Sequence, residues 1–134
     1  MNLLEENKKA IEKNNYANAS NVVISDITKD KAVAYIDITE DNLNSYGFDH
    51  GGGYFTLADT CAAIAARSDG RNYVTQQASS QFIRNVNKGR VTAEGTVVNR
   101  GRTFCIIDVK VTSDEDKLLY TGTFNYFCID KYSG

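Results

Sequence analysis

Apolar residues recur along the chain with two different periods, and the change of period marks its elements. Between residues 31 and 39 the alternation is strict. Ala32, Ala34, Ile36 and Ile38 fall on one side, and Val33, Tyr35 and Asp37 on the other, as in a strand with one buried face. Residues 21–28 read as a second strand, joined to it by a tight turn at Asp30. Four more strands are predicted over 73–84, 90–99, 103–112 and 118–129. The first of these is poorly patterned and the last is rich in aromatic and β-branched residues. Asn87-Lys88-Gly89, Arg100-Gly101-Arg102 and Ser113-Asp114-Glu115-Asp116 supply the turns.

The helical period appears twice. Residues 2–14 set Leu3, Leu4 and Ile11 among Glu5, Glu6, Lys8, Lys9, Glu12 and Lys13, a short amphipathic surface helix. Asn14-Asn15-Tyr16-Ala17-Asn18 is expected to break it. Residues 41–53 are polar and glycine-rich and predict a loop. Residues 54–66 follow, alanine-rich and apolar nearly all round; they predict a buried helix that ends at Ser68-Asp69-Gly70. The order is thus helix, two strands, buried helix, four strands, an α+β class. One antiparallel sheet curled around the central helix satisfies it, as a single domain over residues 1–134. Such a sheet leaves an edge and a face open, and pairing with a second copy is the simplest remedy.

Composition narrows the class. Of 134 residues, 42% are apolar and 24% charged, the make-up of a globular protein with one core. A formal net charge of −2 gives no broad attraction to nucleic acid or to a membrane surface. No run is apolar for long enough to span a bilayer, and residues 1–9 carry charge at once, without the apolar core of a signal segment. Cys61, Cys105 and Cys128 are odd in number, far apart and set among apolar neighbours. They suit reduced core thiols in the cytoplasm better than a disulfide framework. With one histidine and no cysteine pair at ligand spacing, no metal site is expected.

The candidate chemistry lies where loop becomes helix. Gly51, Gly52 and Gly53 let the backbone turn sharply and approach a ligand closely. They sit at a helix N-terminus, where unpaired N–H groups and the dipole favour negative charge. Asp59 follows about two turns into the apolar helix, too deep to cap it. A carboxylate there must find a partner, line a cavity or be protonated; it either hydrogen-bonds a neighbouring strand or does chemistry. From Asn44 to Asp59 the spacing is Asn-x-x-Gly-x-x-His-Gly-Gly-x-x-Phe-x-Leu-Ala-Asp. This resembles the hotdog-fold acyl-CoA thioesterases, of the phenylacetate-pathway type. The likeness extends through Arg84, Gly89 and Val97-Val98-Asn99-Arg100-Gly101-Arg102, over roughly residues 20–130.

The resemblance implies a hotdog fold, an antiparallel sheet wrapped around one long helix. It also implies hydrolysis of an acyl-CoA thioester to free acid and CoA, with no cofactor beyond the CoA of the substrate. Asp59 would attack the thioester carbonyl or activate water. Gly51 would be the main backbone donor to the carbonyl oxygen, with Gly52 beside it; such donors are worth about 3 kcal/mol each in acyl transfer. Thr75 would help to position the water, or is an ordinary β-branched strand residue. Asn44 would orient the carbonyl or the water, or simply shape a turn. His50 would act as acid or base, or hold the loop by hydrogen bonding. Between residues 84 and 102 five basic side chains face one acidic one. Arg84, Arg100 and Arg102 would bind CoA phosphates, or form a solvated basic surface. Relatives often carry proline after the residue matching Arg84, where this chain has Asn85. The resemblance further implies a homodimer, extending to a homotetramer as a dimer of dimers, in which Asn44 and His50 of one subunit face Asp59 and Thr75 of the other.

Two other activities fit the same scaffold. An acyl-thioester dehydratase or hydratase would pair a histidine base with a helical acid, residue types that His50 and Asp59 supply. A non-catalytic acyl-CoA-binding module would keep the pocket but has no need of Asp59. Asn44 together with His50-Gly51-Gly52 favours the hydrolase.

Overall fold

A computed structural model of the chain describes residues 2–130. The N-terminal segment is three short helices, α1 (Leu3–Glu6), α2 (Lys8–Lys13) and α3 (Asn15–Ala19). The asparagines expected to end a helix do so at Asn14, the C-cap of α2, and the same residue begins α3. Asn14 Oδ1 accepts the Ala17 N–H at 3.2 Å, as Asn2 Oδ1 accepts the Glu5 N–H at 2.8 Å. A short polar side chain that weakens a helix interior is a good cap at its start.

Strands β1 (Val23–Thr28) and β2 (Lys31–Asp37) form a hairpin, with Asp30 at its turn in the left-handed region at φ 66°. A 3-10 turn at Glu40–Asn42 interrupts the expected loop. The long helix α4 (Gly51–Arg67) begins three residues before residue 54, so the glycines form its first turn. Strands β3 (Tyr73–Phe82), β4 (Arg90–Arg100), β5 (Phe104–Ser113) and β6 (Leu118–Cys128) complete the chain. The six strands make one antiparallel sheet in the order β1-β2-β4-β5-β6-β3. This is the sheet wrapped around one helix that the resemblance implies.

The core lies between that sheet and α4. Ala32, Ala34 and Ile36 point inward from β2, and Ile107 and Val111 from β5, against Leu57, Ala58, Cys61, Ala62 and Ala65 of the helix. Each larger apolar side chain buried there contributes on the order of 2 kcal/mol. Small helical residues let the helix lie close to the sheet. At Gly95 of β4 a Cβ would sit 3.4 Å from Cys61 Sγ and 3.6 Å from the Ala62 backbone. Burial pushes the Cys61 thiol up to about 12, so it behaves as an inert core group.

The poor pattern of β3 has a cause. It is an edge strand, and Gln76 forms a bulge where the pairing passes from Thr75↔Tyr126 to Gln77↔Asn125. The bulge resets the alternation, and the open side leaves Val74, Phe82 and Ile83 exposed. Among the described residues, no helix is long and apolar enough to cross a membrane.

Candidate active site

The loop before α4 is built by its own side chains. Asn44 Oδ1 accepts the N–H groups of Tyr46 (2.9 Å) and Phe48 (3.1 Å), which makes it a turn residue; its NH2 has no partner among the described residues. His50 caps the helix: Nδ1 accepts the Gly52 N–H at 2.7 Å. To accept there, the ring carries its hydrogen on Nε2. The Gly53 N–H donates to the His50 carbonyl at 2.8 Å. The Gly51 N–H has no partner among the described residues. Of the two backbone donors expected at the thioester oxygen, Gly51 is therefore open and Gly52 is engaged within its own turn.

Asp59 lies one turn beyond Phe55 on the same face of α4. Its Oδ1 accepts from Thr75 Oγ at 2.8 Å and from the Tyr126 hydroxyl at 2.5 Å, and that hydroxyl is also 2.6 Å from the Asp59 main-chain oxygen. Thr75 and Tyr126 are direct cross-strand partners of β3 and β6, so a single rung of the sheet grips the carboxylate. Tyr126 is fully buried, and burial, reinforced by the Asp59 charge, drives its phenol far above the usual tyrosine range. Sequence reasoning missed Tyr126. A buried tyrosine needs a partner for its hydroxyl, but the register that supplies Asp59 is not written in a local pattern.

Asp49 was also missed. It precedes His50 and is fully buried, and neither carboxylate oxygen has a partner. Desolvation raises its carboxyl to about 6, little offset by the nearby His50 N–H. Only its backbone is anchored: the N–H donates to Val86 O at 2.9 Å, and Asn85 Nδ2 donates to its carbonyl at 3.0 Å. Asn85, at the position where relatives often carry proline, also accepts the Tyr54 hydroxyl at 2.8 Å.

The basic residues divide. Arg100 is removed from the expected phosphate set, because all its nitrogens are engaged at the opposite end of α4. They reach Asp30, Asp69, Tyr73 and Ser68, and the carbonyls of Ala65 and Ala66. Arg90 chelates Asp37 at 2.7 and 2.9 Å and lies over the Tyr35 ring. Arg84 and Arg102 are exposed, and neither side chain has a partner among the described residues.

Size does not mark the site. A groove of about 540 Å³ on the outer sheet face, around Lys110 and Thr121, contains none of these groups. The separation inside one chain is more telling. Gly51 and Asp59 are eight helical residues apart, about 12 Å along the axis, and no hydrogen bond joins Asn44 or His50 to Asp59 among the described residues.

Comparison with known proteins decides the family. The thioesterase superfamily profile matches residues 46–120, from the loop before α4 into β6. The chain belongs to the thioesterase superfamily. This thioesterase is similar to the acyl-coenzyme A thioesterase PaaI of Escherichia coli, 29% identical over 102 residues that cover 75% of this chain and 73% of that protein. It is also similar to the 1,4-dihydroxy-2-naphthoyl-CoA hydrolase of Listeria monocytogenes, 28% identical over 101 residues, 73% of this chain and 82% of that one. Among solved structures, Escherichia coli PaaI aligns with a TM-score of 0.88 at 26% identity, covering 95% and 94% of the two chains. A hypothetical thioesterase protein of Streptococcus pneumoniae, solved with coenzyme A, aligns at 0.82 and 28% identity, covering 89% and 96%. The fold is the hotdog fold of PaaI, and the thioesterase is a thioester hydrolase.

Proposed function

We propose that this thioesterase hydrolyses an acyl-CoA to the free acid and CoA, with Asp59 as nucleophile or general base. The observation that carries the reading is the Asp59 carboxylate itself, held by Thr75 and Tyr126 on the face of α4 that also bears Phe55. A half-buried carboxylate held by two hydroxyls, with one oxygen left over, is placed to act on a substrate that reaches it. Coenzyme A as the leaving group is supported by the PaaI and naphthoyl-CoA relatives and by the CoA-bound streptococcal structure. The tie between His50 Nδ1 and Gly52 favours hydrolysis over a dehydratase, because it leaves that ring a donor at Nε2 and no free base.

The active unit in this reading is a dimer. A thioester carbonyl must meet the carboxylate and the oxyanion donor together, within about 3 Å of each. One chain sets them about 12 Å apart, so the Gly51 N–H and the Asn44 NH2 come from a second copy. The open edge of β3, with Thr75 on it and Val74, Phe82 and Ile83 exposed, suits the joint. Arg84 and Arg102 of the assembled site take the CoA phosphates. Three buried, unpaired thiols suit a cytoplasmic enzyme.

The test is thiol release from a panel of acyl-CoAs, with the product identified by mass. Asp59→Asn is expected to lower kcat by 10²–10⁴ or more, on the scale of a lost general base, while folding and binding substrate. Asn44→Ala, nearly inactive alone, is expected to regain activity on subunit exchange with Asp59→Asn. Near wild-type turnover by folded Asp59→Asn would sink the reading, and failure to complement despite proven exchange would sink the shared site.

A further inference from the structure

We infer that Tyr126 is a positioning residue that locks Oδ1 of Asp59 and so makes Oδ2 the oxygen that reacts; this rests on Asp59 being the catalytic carboxylate. The two oxygens are not equivalent. Oδ1 accepts both the Thr75 and the Tyr126 hydroxyls, at 2.8 and 2.5 Å, whereas Oδ2 has no partner among the described residues and is not sealed from solvent. Two donors occupy the lone pairs that Oδ1 would need for bond formation.

Tyr126 is the firmer of the two anchors. Thr75 sits beside the bulge that interrupts the β3–β6 ladder, so the backbone that carries it is held less regularly. The Tyr126 ring is fully buried and stacked on Phe124, with centroids 6.3 Å apart and planes 22° apart. Its hydroxyl lies against the Asp59 carboxylate and main-chain oxygen, with the Thr75 hydroxyl beside it. That main-chain oxygen already has an acceptor role in the helix ladder, so the carboxylate is the group for which the phenolic hydrogen matters most.

The assignment serves either chemical route. As nucleophile, Oδ2 bonds the acyl carbon as the C–S bond breaks and CoA leaves as thiolate. Water then cleaves the anhydride: its oxygen bonds the acyl carbon as the bond to Oδ2 breaks, releasing the acid and restoring the carboxylate, while the proton left over neutralises the CoA thiolate. As general base, Oδ2 takes a proton from water while the water oxygen bonds the acyl carbon, and that proton passes to the departing thiolate. In both routes Oδ1 stays in its two hydrogen bonds, so the carboxylate need not reorganise during the step.

Tyr126→Phe removes one oxygen and keeps the ring. The expected result is a fall in kcat of about tenfold or more, the scale of one hydrogen bond to a charged group, with KM and Tm close to wild type. Thr75→Val should act in the same direction. The double variant should lose more than the product of the single losses, because each donor holds Oδ1 when the other is gone. Infrared difference spectra of wild type minus Asp59→Asn isolate the Asp59 carboxylate stretches independently of turnover. Their splitting should change in a Tyr126→Phe background. Unchanged kcat and carboxylate bands in folded Tyr126→Phe, with Asp59→Asn inactive, would overturn this inference and leave the proposed function standing. Parallel losses of kcat, Tm and substrate binding would make Tyr126 a packing residue and overturn it too. An active Asp59→Asn would remove both readings.

Discussion

The two ends of α4 treat polar groups in opposite ways. At the C-terminal end Arg100 reaches two carboxylates, a phenol, a hydroxyl and two helix carbonyls. Asp69 accepts from Arg71, Tyr73 and Arg100. Against the cost of burial, the Tyr73 and Arg71 hydrogen bonds and the Arg100 charge hold the Asp69 carboxyl below the usual range. At the N-terminal end the Gly51 N–H and the Asp49 carboxylate are without partners among the described residues, as is Oδ2 of Asp59 at the middle of the helix. One end completes its hydrogen bonds and closes the fold. The other keeps them open, as a site must if a substrate is to complete them.

The largest effect on stability should come from the closed end. Arg100→Ala strips the cap from the Ala65 and Ala66 carbonyls and leaves Asp69, which is only 11% exposed at its side chain, with Arg71 and Tyr73 as its remaining partners. Six hydrogen bonds are lost at once, and at about 0.5–1.5 kcal/mol net for each the cost should be about 3–5 kcal/mol or more. Urea unfolding should show that loss, while KM for acyl-CoA stays near wild type in the folded fraction. A stable Arg100→Ala protein with a raised KM would return Arg100 to the phosphate site and erase the contrast between the ends.

Asp49 tests the open end with the opposite sign. Its folded carboxyl stands at about 6 against 3.8 for an unperturbed one. Between those values the folded state holds more protons than the unfolded state, so stability falls as pH rises through that window. Above about pH 6 the whole penalty of the buried charge is present, about 3 kcal/mol for a gap of about 2 pH units. Asp49→Asn should therefore raise the unfolding free energy at pH 7.5 by up to that amount, less what its unpaired amide costs, and raise Tm with it. The gain should shrink toward zero below pH 4, where Asp49 is neutral in both states. A gain independent of pH, or a loss at pH 7.5, would show that the charge is compensated in the working protein.

The elements around Asp59 also show how far the sequence could be read. The strict alternation of Ala32, Ala34 and Ile36, and the alanine-rich run around Cys61, report their own burial through local periods, so strands and central helix were legible. Asp59 was legible because a charge inside an apolar helix conflicts with its surroundings. Its partner Tyr126 was not, because the contact depends on the β3–β6 register and the bulge at Gln76. Arg100 misled for a related reason. An arginine in a basic stretch has the same composition whether it faces phosphate or a helix end, and only the packing of β4 beside α4 chooses. The break at Asn14 was legible but the helix after it was not, because the side chain that discourages a helix interior also starts a helix.

The smallest expected effect separates Arg84 from Arg100. Arg84 directly precedes Asn85, whose amide holds the Asp49 carbonyl under the start of α4, and its exposed guanidinium has no partner among the described residues. In the proposed site it meets a CoA phosphate near the surface, where water and salt weaken the attraction. Such a contact is made in the ground state and the transition state alike. Arg84→Gln should then raise KM for acyl-CoA about three- to tenfold, about 1 kcal/mol, and leave kcat unchanged. The same acyl group on pantetheine lacks the nucleotide phosphates, so its KM should not move. Added salt should weaken acyl-CoA binding to wild type more than to Arg84→Gln. Stability should stay within about 0.5 kcal/mol of wild type, as for a surface substitution that breaks no contact. Equal effects on acyl-CoA and acyl-pantetheine would place Arg84 on an ordinary solvated surface, and phosphate binding in the proposed site would then rest on Arg102.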